Sequence, residues 1–105
     1  MLRIYPVVLE VLRRLQPALR RIEIRDPDLG RQLRRASASI ALNLGEGMYS
    51  RGRNRQARYH TALGSAREAL SCLEVAAVSS YGEEDPQLWD QLDRVVGTVV
   101  LLVRA

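Results

Sequence analysis

The sequence predicts an all-α fold, an antiparallel up-down four-helix bundle that occupies residues 1–105 as a single domain. Three observations carry the prediction. Apolar residues recur at spacings of three and four in four separate stretches, the period of an amphipathic helix. Two Asp-Pro dipeptides, Asp26-Pro27 and Asp85-Pro86, pair a capping carboxylate with the residue best suited to a first helical turn. Only short polar connections separate the stretches, which returns each helix antiparallel to the one before. A chain of 105 residues is also too short for two cores of ordinary size.

The first stretch places Leu2, Tyr5, Val8, Leu12, Leu15, Leu19 and Ile22 on one face, so a helix is expected from about Arg3 to Arg25. Pro6 fits its first turn. Pro17 lies inside the pattern, removes a backbone donor and clashes with the preceding turn, so a kink or a break is expected there. Asp26-Pro27 opens a second helix with Leu29, Leu33, Ala36, Ile40 and Leu44 on its apolar stripe, ending near Gly47. Met48 to Asn54 lacks periodicity and carries Ser50, Gly52 and Asn54 among its arginines, the composition of an exposed connection. From Arg55 the pattern resumes through Tyr59, Leu63, Ala66, Leu70, Leu73 and Ala77 toward a cap at Gly82, making this helix second in length to the first. Asp85-Pro86 opens the fourth, with Leu88, Leu92, Val95, Val99 and Leu102 on one face and Val96, Val100, Leu101 and Val103 widening it. A face that wide needs more than one neighbour. A second subunit or a central place in the bundle would each supply it.

Apolar residues at 47% and charged residues at 27% match a folded globular chain and argue against disorder. The most apolar run, Val95 to Val103, is far shorter than the ~20 residues of a membrane span. Glu10, Arg13 and Arg14 interrupt the N-terminal apolar residues before a secretory segment could form. No membrane association and a cytoplasmic location are therefore expected. The single cysteine, Cys72, excludes an intrachain disulfide and offers no metal-ligand set. Neither metal nor cofactor is expected.

Charge is divided along the chain. All 16 basic side chains are arginine, a choice that GC-rich codon usage also produces. Met1 to Arg67 carries 14 of them against 5 acids, a balance of +9, whereas Glu68 to Ala105 carries 2 against 7 acids, a balance of −5. A basic half suits a phosphate-bearing or acidic partner, unless the acidic half neutralises it.

Several polar residues stand beside the apolar stripes. Ser39, Asn43 and Glu46 share one face of the second helix, and Ser65, Glu68 and Cys72 share one of the third. Small neighbours, among them Ala38, Ala41, Ala62 and Gly64, let the two helices approach. That would bring Asn43 and Glu46 to Ser65, Glu68 and an arginine, Arg34 or Arg35. A carboxylate site is one reading of this set. The favoured one is a structural hydrogen-bonded network, because buried polar groups satisfy one another and no nucleophile or paired base accompanies the carboxylates. His60, the single histidine, has no catalytic partner in the sequence, and Cys72 reads as a small core residue. An enzyme is not expected.

The segment from Tyr49 to Tyr59 is the candidate binding element. Arg51, Arg53, Arg55 and Arg58 fall within eight positions, Tyr49 and Tyr59 flank them, and no acid stands between Glu46 and Glu68. Guanidinium groups grip phosphate bidentately, tyrosines stack on unpaired bases, and a glycine lets the loop conform. Nucleic acid, RNA in particular, is the partner this chemistry fits. A solvated, arginine-rich helix start is the plainer reading.

The run from Gln32 to Gly47, QLRRASASIALNLGEG, followed by Ala62 to Glu68, ALGSARE, resembles the signature of the four-helix bundle proteins encoded by intervening sequences of 23S ribosomal RNA, the S23 family. Arg34, Arg35, Ala36, Ser39, Ile40, Asn43, Glu46, Gly47, Gly64, Ser65 and Glu68 carry the resemblance. Ala41 stands where proline is frequent in the family, Gly45 where alanine is usual, and the first helix with Pro17 is less typical. The resemblance implies an up-down bundle that forms a homopentamer and has no established enzymatic activity. It also implies a more distant similarity to the accessory variability determinant of diversity-generating retroelements, a basic pentamer that binds nucleic acid and a reverse transcriptase. The expectation is a non-enzymatic homo-oligomer that binds nucleic acid. The alternative is a scaffold that docks an acidic protein such as a reverse transcriptase.

Overall fold

Each Asp-Pro pair begins a helix, as its chemistry requires. The structure, a computed structural model, describes residues 2–81 and 85–105. Four helices account for most of them: α1 (Ile4–Arg25), α2 (Pro27–Met48), α3 (Gly52–Val78) and α4 (Pro86–Arg104). Asp26 Oδ1 accepts from the Leu29 N–H at 3.0 Å, and Asp85 Oδ1 accepts from the N–H groups of Gln87 at 3.1 Å and Leu88 at 3.3 Å. Both carboxylates satisfy donors that an uncapped helix start would leave orphaned.

Three expectations are corrected. α1 is one helix and does not break at Pro17. The Arg13 carbonyl loses its partner there, but one turn back the Gln16 side chain donates to the Leu12 carbonyl at 2.9 Å. α3 starts at Gly52 rather than Arg55, which makes it, at 27 residues, the longest helix and shrinks the α2–α3 connection to Tyr49, Ser50 and Arg51. It ends at Val78, before the expected cap; Gly82 itself lies outside the described residues. The left-handed residue is Ser80, with φ 61°. The Ser80 N–H bonds the Ala77 carbonyl at 3.1 Å and the Tyr81 N–H bonds the Ala76 carbonyl at 2.9 Å, the paired bonds of a Schellman C-cap.

Each helix packs against its sequence neighbours, and α4 returns to α1, with α2–α3 the most extensive contact. The core is one cluster. Val8, Val11, Leu15, Leu19, Leu33, Ile40, Leu44, Leu88, Leu92, Val95 and Val99 are essentially removed from water. α3 contributes mainly small residues to it, Ala62, Ala66, Ala69, Cys72 and Ala76. Small side chains on α3 and Ala36, Ser37 and Ala41 on α2 draw these two backbones together. α4 does not take a central place. It lies against α1 and α3 and leaves Leu101 at 66% exposure.

Antiparallel packing sorts the helix ends. The start of α1, the end of α2, the start of α3 and the end of α4 share one end of the bundle, where Gln56 Nε2 donates to the Ala105 carbonyl at 3.4 Å. Farther along, Arg14, midway in α1, donates to Gln87 Oε1 at 2.6 Å and stands 3.9 Å from Asp85 at the start of α4. None of the helices is long and apolar enough to cross a membrane among the described residues.

Candidate nucleic-acid interface

The α2–α3 corner is built on one close approach. Gly47 faces the ring of Tyr59, and a Cβ added at Gly47 would stand 2.6 Å from Tyr59 Cε1. Tyr59 is accordingly buried, at 4% exposure, and serves to hold α3 against α2. It has no face to offer a base, which corrects its assignment as a stacking residue. Tyr49 is different: it caps α2 at the tip of the corner and is 81% exposed.

The four arginines of the segment divide in the same way. Arg55 turns back on the connection, its Nε donating to the carbonyls of Ser50 at 2.9 Å and Gly47 at 3.3 Å. The Gly47 carbonyl also accepts from the Ser50 N–H at 3.0 Å, so Arg55 ties the connection to the last turn of α2. Arg58 reaches α2, pairing with Glu46 Oε2 at 2.7 Å and approaching Asn43 Oδ1 at 3.4 Å. Arg51 and Arg53 are exposed and make no ion pair or side-chain hydrogen bond among the described residues. Two arginines shape the corner, and two are presented by it.

Arg58 also completes the polar network between α2 and α3. Asn43 Nδ2 donates to the Ser39 carbonyl at 2.9 Å and to Ser39 Oγ at 3.0 Å, and Ser65 Oγ donates to Ser39 Oγ at 2.7 Å. Ser39, Asn43, Glu46 and Ser65 are thus brought together, but the arginine they meet is Arg58. Arg34 pairs instead with Glu23 of α1. Arg35 and Glu68 are exposed and join no bond of the network among the described residues. The signal for Arg58 was present in the sequence, an acid in need of a cation. The expected cations were on α2 itself, pointing away. Glu68 acts on a neighbour nevertheless: burial first, and then its negative charge, push the Cys72 thiol above its ordinary range. A protonated, buried thiol is a poor nucleophile.

His60 is exposed. No group of three or more His, Cys, Asp or Glu is placed to hold a metal ion among the described residues. The acids that open α4 do not reach the corner. α3 spans roughly 40 Å at 1.5 Å per residue, nearly the 42 Å length of the molecule, and Asp85 and Asp90 stand at its far end. Glu46, already paired with Arg58, is the acid at the corner.

Searches of curated proteins and of solved structures gave no significant match. A family model described as 23S rRNA-intervening sequence protein matches residues 7–99, which takes in all or most of each of the four helices, the polar network and the arginine corner. The chain belongs to the 23S rRNA-intervening sequence protein family.

Proposed function

We propose that this chain is a non-catalytic protein that binds nucleic acid, RNA by preference, at the α2–α3 corner. Arg51 and Arg53 contact phosphate and Tyr49 stacks on an unpaired base. The observation that carries the reading is the pair of exposed guanidinium groups without an acid partner among the described residues, beside an exposed tyrosine. Arg55 and Arg58 hold the corner in shape, so presenting the two free arginines costs little ordering on binding. The family's description, which names ribosomal RNA, supports an RNA-related role. Titration of labelled single-stranded RNA and DNA against wild type and an Arg51→Ala/Arg53→Ala variant tests it. Loss of most RNA affinity in the variant is expected, and undiminished affinity would remove the corner from the account.

The proposal includes self-association into a homo-oligomer, a pentamer first among the possibilities. Leu101 on α4 and Val75 and Val78 on α3 stand 66%, 50% and 88% exposed, apolar surface that a subunit contact would cover. A ring would also multiply weak phosphate contacts. Light scattering on the eluting protein should give a multiple of 11.8 kDa; a monomer at micromolar concentration would contradict it. The same two free arginines suit an acidic protein surface, that of a reverse transcriptase among others. That second reading predicts binding of such a protein with no affinity for RNA.

A further inference from the structure

Beside the arginine corner, between the start of α1 and the end of α2, runs an open groove of about 340 Å³. Tyr5, Leu42, Gly45, Glu46, Met48 and Tyr49 line it. We infer that this groove is a pocket for one unpaired nucleobase, guanine above the others, of the strand whose phosphates Arg51 and Arg53 contact; the inference rests on the nucleic-acid reading above. Its walls suit a flat aromatic ligand. Leu42 and Tyr49 keep 63% and 81% of their surface in water, and two tyrosines, Tyr5 and Tyr49, are among the lining residues. Gly45 is another lining residue. A Cβ there would stand 3.4 Å from the ring and hydroxyl of Tyr5, so glycine leaves more of that ring open than any larger residue would.

The groove is joined to the phosphate-binding residues by the chain itself. Tyr49 precedes Arg51 by two residues, a span of about 7 Å at most, so one strand can reach both. An apolar groove flanked by unpaired cations matches a ligand that is aromatic at one point and anionic at the next. Glu46 sets the edge preference. Its Oε2 is held by Arg58 at 2.7 Å, which offsets its repulsion of phosphate, and its other oxygen has no hydrogen bond among the described residues. A carboxylate accepts but does not donate. Guanine presents two adjacent N–H donors on its Watson–Crick edge, cytosine and adenine an amino group, and uracil one N–H between two carbonyls.

Fluorescence anisotropy with three labelled oligomers tests the inference: octauridylate, the same strand with one central guanosine, and the same with one central abasic site. Wild type should bind the guanosine strand about tenfold more tightly than the abasic one, the size of one stacked base, with octauridylate between. Tyr49→Ala should erase the guanosine advantage. Glu46→Gln should narrow the gap between guanosine and uridine. Equal affinity of wild type for all three, with Arg51→Ala/Arg53→Ala still weakening each, overturns the pocket and leaves the phosphate contacts standing. No binding of any strand overturns both. A change of oligomeric state in Leu42→Arg, seen by light scattering, would show the groove covered by a second copy and would also overturn the pocket.

Discussion

Gly47 and Tyr59 meet at a separation that leaves no room for a methyl group. A Cβ at Gly47 would press on the body of a buried ring, 2.6 Å from Cε1 and 2.9 Å from Cδ1, and a ring packed in the core cannot swing aside as a flexible side chain does. Gly47→Ala should therefore cost about 1–3 kcal/mol, read as a lower midpoint in chemical denaturation with an unchanged slope. Arg58→Ala should cost about 1 kcal/mol, because it releases a half-exposed ion pair and the contact to Asn43. Arg51→Ala should stay within about 0.5 kcal/mol of wild type. Cys72 gives a pH-dependent outcome. Its folded pKa is raised, so its contribution is fully present below the unfolded-state value of about 8.5 and is lost as pH rises through the folded value. Cys72→Ala should flatten part of the alkaline decline in stability, and the native thiol should react with a disulfide reagent only as fast as the protein opens.

The starts of α2 and α4 are legible in the sequence and the end of α3 is not, for a physical reason. A start carries a chemical signature: Asp26 and Asp85 have the side-chain oxygen the open N–H groups require, and each proline fits the turn that follows. The end of α3 uses main-chain bonds alone, with Ser80 in the left-handed region, and no side chain announces it. Gly82 was the residue best suited to that conformation, but the chain turns two positions earlier. Ser80→Gly should accordingly stabilise the protein by up to about 1 kcal/mol, raising the thermal midpoint by a few degrees. The start of α3 was missed for the converse reason. Gly52 and Asn54 are poor helix formers and the segment has no apolar stripe, but it is helical because the Arg55 bonds to Gly47 and Ser50 fix the turn before it. The apolar stripes needed no such help: Leu29, Leu33, Ala36, Ile40 and Leu44 are all buried as their spacing requires.

Across the whole molecule, the charge division read along the chain becomes an excess of arginine at one end of the bundle and a mixture of both signs at the other. Arg3, Arg51, Arg53 and Arg104 gather where α1 and α3 begin and α2 and α4 end, while at the other end Arg20, Arg21, Arg25, Arg31, Arg34 and Arg35 are mixed with Glu23, Asp26, Asp28 and Asp85. The acids that stand toward the basic end, Glu10 and Glu46, are paired with Arg13 and Arg58, which leaves Arg51 and Arg53 free for a partner. The sequence named the arginines of that end but not their separate tasks, because which of them turn back onto α2 is decided by helix register. The most direct test of the central claim is the salt dependence of single-stranded RNA affinity. Wild type should lose affinity steeply as salt rises, and Arg51→Ala/Arg53→Ala, at an unchanged melting temperature, should flatten the log–log slope by roughly 1.4, the loss of two phosphate contacts. The same slope in both proteins would contradict the assignment of those arginines to nucleic acid.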